Sequence, residues 1–338
     1  METIITKCPA RISFGNGGDT DYYIKELGWG CVVNATLSTL FFECQIPNIE
    51  ERAIIYNDLN TNSSEKNMLQ NLRLEGDKMD LIKATISYLN PYFRKTMIIN
   101  TNIPKESGLG GSSTLNIAVA LALLKEKGEL TNAEELAKIS YHIERKILQI
   151  EGGYQDQWAA AYGRGLNVMI FKNKRVEVIP IKVSSDILRR LEENSLLVYF
   201  SQRIDSGKEI HKDQEKKIKE NPEEKKAILI EKRENTMKIK EYLEKGSLNE
   251  FAECLNKDWE LKQKLSSKIG TRDKIYQTAL ENGALGGRLC GAGSGGAYYF
   301  FCKEGKKEQV LSAIKPFIQM QLPFKIQRPE EYGGWYQT

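Results

Sequence analysis

The sequence predicts a two-domain α+β protein, and three observations carry that reading. A chain of 338 residues, 41% of them hydrophobic, is long enough to bury more than one core. Strand-like runs at residues 3–14, 30–44 and 96–100 alternate with runs of helical apolar spacing, so neither an all-α nor an all-β fold applies. A polar helical stretch at residues 184–195 then precedes a new strand, Leu196-Leu-Val-Tyr-Phe200. It divides the chain into residues 1–185 and 186–338.

Residues 3–14 read as a strand with Arg11 near its end. Gly15-Asn-Gly-Gly-Asp-Thr-Asp21 follows as an exposed turn presenting the carboxylates of Asp19 and Asp21. Residues 52–66 are polar and read as a hairpin or loop, while 80–89 have helical spacing at Leu81, Ile82, Ile86 and Leu89. Residues 115–124 are apolar nearly all round, which places that helix in the interior. Thr131-Asn-Ala-Glu134 reads as a capping box for the next helix, whose stripe runs through Leu136, Ile139, Ile143 and Ile147. Glu144 lies at the edge of that stripe, a position for either a surface salt bridge or a site ligand. Gly152-Gly-Tyr-Gln-Asp156-Gln-Trp158 reads as a surface loop in which amides orient the carboxylate and Trp158 shields it from water. Strands follow at 167–171 and 175–183.

In the second half, residues 202–226 are dense in Lys and Glu, and amphipathic helices cover 224–244 and 248–265. Such charge runs are expected to be solvated helix faces. A helix over 272–282 leads into Gly286-Gly-Arg288-Leu-Cys-Gly291-Ala-Gly293-Ser-Gly295-Gly296. Firm elements on both sides make this a place of close backbone approach rather than a linker. A strand (297–302), a helix (306–317) and a strand (324–327) complete a β-α-β-like pattern.

Residues 104–114, Pro-Lys-Glu-Ser-Gly-Leu-Gly-Gly-Ser-Ser-Thr, carry the main chemical signal. Glycines at 108, 110 and 111 let several N–H groups point at one centre. Ser112 and Ser113 fall at a helix N-terminus, where free N–H groups and the positive dipole end attract an anion. The loop suits phosphate, although a Gly-Ser loop in isolation is more often a plain serine-capped turn.

Composition narrows the partners. A net charge of +4, with lysines interleaved among glutamates, provides no broad basic face for nucleic acid. The absence of any apolar run of about 18 residues or of a signal-peptide layout leads us to expect a soluble, cytoplasmic protein without membrane contact. Six cysteines without Cys-x-x-Cys spacing read as buried thiols rather than a zinc site, and two histidines leave little material for His-based catalysis.

Pro9-Ala-Arg11 with the turn ending at Asp21, Pro104 to Ser113 with its Gly-Leu-Gly, and the Gly-Ala-Gly-x-Gly-Gly core of 291–296 occur in the order of the three GHMP kinase motifs. The chain resembles that family over nearly its whole length. It has no Walker-type Gly-Lys-Ser/Thr, which excludes a P-loop kinase. Asn34-Ala-Thr-Leu37, Ile143-Glu-Arg145 and Gly152-Gly-Tyr-Gln-Asp-Gln-Trp-Ala-Ala are similar to the D-glycero-D-manno-heptose 7-phosphate kinase branch.

The resemblance implies an N-terminal domain like domain 2 of ribosomal protein S5 and a ferredoxin-like C-terminal domain. It implies ATP and Mg2+ as cofactors and a small-molecule sugar or sugar phosphate as acceptor, phosphorylated at its anomeric hydroxyl; a homodimer is compatible with it. Pro104, Gly108, Leu109, Gly110, Gly111, Ser112, Ser113 and Thr114 would cradle the ATP phosphates. Ser113 and Glu144 would hold Mg2+, Asp156 would accept the proton of the attacking hydroxyl, and Arg11 would stabilise the transferring group. Asp19, Asp21, Gly153, Arg203, Gly291, Gly293 and Gly295 would meet the sugar.

Two departures bear on the acceptor. The turn reads Gly-Asn-Gly-Gly-Asp-Thr-Asp where relatives have Gly-Gly-Gly-Thr-Asp, and Arg203 comes earlier than the arginine of relatives. A kinase for an unphosphorylated sugar such as galactose or fucose is therefore the rival reading. A non-catalytic sugar or ATP sensor is the second, disfavoured because Asp156, Glu144 and Ser113 are all present.

Overall fold

The structure, a computed structural model, describes residues 3–331 except 18, 19, 174, 202–206, 267, 268, 270–273, 292 and 294. Its central feature is a pair of long antiparallel strands, β1 (Ile4–Gly15) and β2 (Trp29–Ile46). From Cys8 onward β1 is buried at every position, because α3 (Gly111–Glu126) and α5 (Gln155–Tyr162) pack on it, as do α8 (Pro222–Lys245) and α9 (Leu248–Gln263).

β2 also serves two other partners. Its first half pairs with β6 (Leu166–Lys172), and its second half pairs with β5 (Met97–Thr101). With the hairpin β3 (Ala53–Asp58) and β4 (Ser63–Met68), and with β7 (Arg175–Pro180), this gives the order β4-β3-β5-β2-β6-β7, β1 joining at β2. α1 (Thr20–Leu27) follows β1, and α2 (Asp80–Leu89) and α4 (Ala133–His142) pack on α3. α3 is buried from Ser113 to Leu124, as its all-round apolarity requires.

The second sheet is antiparallel, with order β11-β8-β10-β9, built from β8 (Ser195–Ser201), β9 (Ala284–Leu289), β10 (Gly296–Cys302) and β11 (Met320–Leu322). Helices α6 (Ser185–Asn194), α7 (Gly207–Glu220), α10 (Lys274–Glu281) and α11 (Lys307–Ile314) complete this half. Helices separate β8 from β9, β10 follows β9 as its antiparallel neighbour, and α11 returns the chain to β11, which is the ferredoxin-like arrangement. One core joins both sheets: Phe14 of β1 packs edge-on against Phe251 of α9 at 5.3 Å and against Tyr299 of β10 at 5.1 Å.

Several local expectations are corrected. Asn132, not Thr131, caps α4, its side chain accepting from the Glu135 N–H at 3.0 Å. Asp21 falls in the first turn of α1, where the helix dipole favours an acid, rather than on an exposed turn. Gly286 and Gly287 lie inside β9, paired with β10, where a Cβ at Gly287 would meet Phe300 and the Tyr299 carbonyl. The last strand is Met320–Leu322 and stops at Pro323; Ile326 makes only an isolated bridge to Leu37. The charged helices are not wholly solvated, since Lys225 and Lys232 of α8 are buried. All six cysteines are buried, and no helix among the described residues is long and apolar enough to cross a membrane.

Candidate active site

The Gly-rich loop between β5 and α3 takes its shape from two left-handed glycines, Gly108 (φ +81°) and Gly110 (φ +78°). Gly110 is the N-cap of α3, and its carbonyl accepts from both the N–H and the hydroxyl of Thr114. The helix therefore starts at Gly111, earlier than its apolar run, and the serines lie within its first turn. Behind the loop runs the third Gly-rich segment. A Cβ on Gly108 would sit 2.5 Å from the Cys290 carbonyl oxygen, and one on Gly296 would sit 2.6 Å from that of Ser107. The Ala297 N–H donates to the Ser107 carbonyl at 2.9 Å, so the two glycine segments meet backbone to backbone.

Arg11 ties this loop to the carboxylate of Asp156. Its Nη1 donates to the Gly108 carbonyl at 2.6 Å, while Nε and Nη2 donate to Asp156 Oδ1 at 3.1 and 2.7 Å. Arg11 is nearly enclosed, whereas the Asp156 side chain keeps 29% of its surface open. Both arginine contacts fall on Oδ1, so Arg11 leaves Oδ2 unbonded. The segment expected as a surface loop is in fact the first turn of α5, packed inward by the stacked rings of Tyr141 and Tyr154 (centroids 4.6 Å apart) and by Trp158. Its amides do not orient Asp156: Gln155 donates to Ser13 Oγ, and Gln157 donates to Glu144 Oε2 at 2.6 Å.

Glu144 stands in a π-helical turn, Ile143–Ile147, that continues α4. The wider turn breaks the 3.6-residue register and swings the carboxylate inward from the stripe edge. Only 2% of the residue is exposed. Burial raises its pKa, opposed by the charge of Arg145 and by the Ser113 hydroxyl beside it; the charge of Asp156 raises it further, and the Gln157 amide lowers it. Oε2 takes Gln157 and, at 3.3 Å, Arg145, whereas Oε1 is buried without a hydrogen-bond partner. An orphaned carboxylate oxygen beside a serine hydroxyl is a donor set that fits a hard divalent cation.

These groups share one cavity of about 880 Å³. On the β3–β5 side its wall is apolar, with Phe42, Tyr56, Met79 and Ile103. On the side of the C-terminal helices it is formed by Ile210, Gln214, Lys262 and Gly291. Pro104, Gly108, Gly110, Gly111, Ser112, Ser113, Glu144, Gly153, Asp156 and Arg11 lie along it. Leu109 and Thr114 are buried behind the loop and support it. Asp21 is half-buried and does not line the cavity, and neither Gly293, which packs on Ile269, nor Gly295 does. Asp19 and Arg203 lie outside the described residues. Sequence reasoning did not single out the apolar wall, Gln214 or Lys262; their elements converge only in three dimensions, and no local motif marks them.

A glycine-rich loop at a helix start, an arginine-held carboxylate that is partly open and an orphaned acid in one cavity fit the requirements of phosphoryl transfer. Comparison with known proteins agrees. The family model for the GHMP kinases N terminal domain matches residues 80–164, and that for GHMP kinases C terminal matches residues 239–318. A D-glycero-alpha-D-manno-heptose 7-phosphate kinase of Campylobacter jejuni is 34% identical over 93% of this chain and 94% of its own length. The crystal structure of a D-glycero-D-manno-heptose 1-phosphate kinase from Bacteroides thetaiotaomicron is similar with a TM-score of 0.73 and 25% identity, covering 96% of both chains. Galactokinase from Lactococcus lactis shares the fold at a TM-score of 0.72 and 18% identity, covering 96% of this chain and 94% of its own. The chain belongs to the GHMP kinases. It is an ATP-dependent phosphotransferase with an alcohol group as acceptor.

Proposed function

We propose that this kinase transfers the γ-phosphoryl group of ATP to the anomeric hydroxyl of D-glycero-D-manno-heptose 7-phosphate, giving the 1,7-bisphosphate. The observation that carries the mechanism is the setting of Asp156: Arg11 fixes its Oδ1, and the side chain lines the cavity with 29% of its surface open. A general base needs that combination of fixed orientation and access to the hydroxyl. The heptose phosphate kinase relatives favour the acceptor.

In this reading the N–H groups of the first turn of α3 receive the ATP phosphates, and the apolar wall of Phe42, Tyr56, Met79 and Ile103 receives the base. Ser113 Oγ and Glu144 Oε1 hold Mg2+, which when bound offsets phosphate charge. Arg11, between Gly108 and Asp156, places its charge where the phosphoryl group passes from donor to acceptor. Residues 1–185 supply the phosphate loop and the base, and residues 186–338 close the acceptor side with the third Gly-rich segment. The test is a panel of acceptors with ATP and Mg2+, read by ADP release. Heptose 7-phosphate is expected to give the highest kcat/KM; equal or better turnover of galactose, fucose or another free sugar would overturn the assignment.

A further inference from the structure

We propose that Asn34 is a positioning residue for the base: through an internal water its amide fixes Gln155, and Gln155 fixes the helical turn that carries Asp156. This rests on Asp156 acting as the base. Asn34 and Thr36, from the Asn34-Ala-Thr-Leu37 segment of β2, do not line the cavity. They lie behind its wall.

Strand register puts them there. Ser13 of β1 pairs with Asn34 of β2, and Asn34 pairs with Asn167 of β6, so the three side chains form one row across the sheet. In the next row on the same face, Arg11 pairs with Thr36. Arg11 holds Asp156, so this is the face that the start of α5 covers. The Gln155 side-chain nitrogen donates to Ser13 Oγ, which brings that amide within a side-chain length of Asn34. Two consecutive residues of α5 are thus anchored on two residues of β1, Asp156 on Arg11 and Gln155 on Ser13. The Gln155 amide does not touch the carboxylate; it holds the backbone from which the carboxylate projects.

Those anchors leave five buried polar atoms without a hydrogen-bond partner among the described residues: Asn34 Oδ1 and Nδ2, Gln155 Oε1, Asn167 Oδ1 and Thr36 Oγ1. The four residues that carry them are at most 1% exposed. Unpaired buried amides are costly, and five such atoms on one face call for a common partner. The set is complementary in itself. Asn34 Nδ2 donates, the Thr36 hydroxyl does either, and the three amide oxygens accept. A water donates twice and accepts twice, so one placed among them joins Asn34 to Gln155 Oε1. Held at its nitrogen alone, the Gln155 amide can swivel about its broad terminal torsion; held at both ends, it cannot.

The test is a double-mutant cycle on kcat, read by ADP release with the acceptor that the panel ranks first, with KM for ATP measured on the same samples. Asn34→Ala is expected to lower kcat about 10- to 100-fold, the range for a reacting group displaced by up to about 1 Å, with KM for ATP changed less than about twofold. Asn34→Ser keeps a polar group for the water and should recover most of the loss; no recovery would exclude the bridge. In an Asp156→Asn background, Asn34→Ala should cost less than about threefold more, because a residue that acts through the base then has nothing left to position. An equal loss in both backgrounds would make Asn34 a structural residue of the sheet. Unchanged kcat, or a change confined to KM for ATP, would remove it from the positioning of the base. If Asn34→Ala does not fold, Gln155→Met, close in shape but without an amide, takes its place in the cycle with the same expectations. Asp156→Asn that turns over like wild type would overturn the base assignment itself, a result distinct from each of these.

Discussion

Two arginine–aspartate pairs in this molecule are nearly identical in distance and opposite in exposure. Arg11 and Asp156 approach to 2.7 Å, Arg288 and Asp258 to 2.6 Å. The first pair borders the cavity with 29% of the Asp156 side chain open, whereas the second is sealed at 1% and 0%. Asp258 spends its oxygens on Arg288, Lys232 and the Asn16 N–H, while Arg288 donates to the carbonyls of Phe14 and Asn16 at 3.0 Å each. Asn16 in turn accepts from the Tyr23 hydroxyl at 2.6 Å. The sealed cluster thus fixes the end of β1 and the start of α1 against α8, α9 and β9. Ion-pair distance alone does not separate the two carboxylates; exposure to the cavity does.

The comparison can be broken first at the sealed pair. Asp258→Asn would leave two buried cations without their counter-charge and is expected to cost about 3–5 kcal/mol of stability. Chemical denaturation would show it as a lower midpoint. A midpoint within experimental error of wild type would mean that the cluster is not structural. Burial by itself would raise the Asp258 pKa, but Arg288 and Lys232 hold it down to about 2. A carboxyl depressed on folding contributes stability that is complete above its unfolded value, near 4, and is lost as pH falls toward 2. Wild type should therefore lose on the order of 2 kcal/mol over that window, and the Asp258→Asn variant should lack this limb of the curve. At the open site, Glu144→Gln keeps the shape but removes the charge, and should weaken Mg2+ dependence of turnover about tenfold while leaving the melting temperature unchanged or higher, since a buried charge is removed. An unaltered Mg2+ requirement would remove Glu144 from the metal site.

The difference between the two regions also explains what the sequence could reveal. The loop at 108–113 was legible because its backbone demands glycine, and a residue that cannot be replaced leaves a mark in the sequence. The structure around Asp156 was not legible: Gly152 and Gly153 read as loop, whereas ring stacking by Tyr141 and Tyr154 draws the next residues into a helix. The inward turn of Glu144 depends on a π-helical turn, which a 3.6-residue wheel does not represent. Lys232 was hidden by composition, since one buried lysine in a helix rich in Lys and Glu has no distinguishing pattern. Lys262 and the apolar wall become a site only when helices from the second half close over the first.

The central claim is that the open pair performs chemistry, with Asp156 as the base. Asp156→Asn tests it directly, with ADP release under heptose 7-phosphate, ATP and Mg2+ and ATP affinity measured on the same sample. Turnover should fall about 10²- to 10⁴-fold with ATP affinity retained. Turnover equal to wild type would show that Asp156 is not the base.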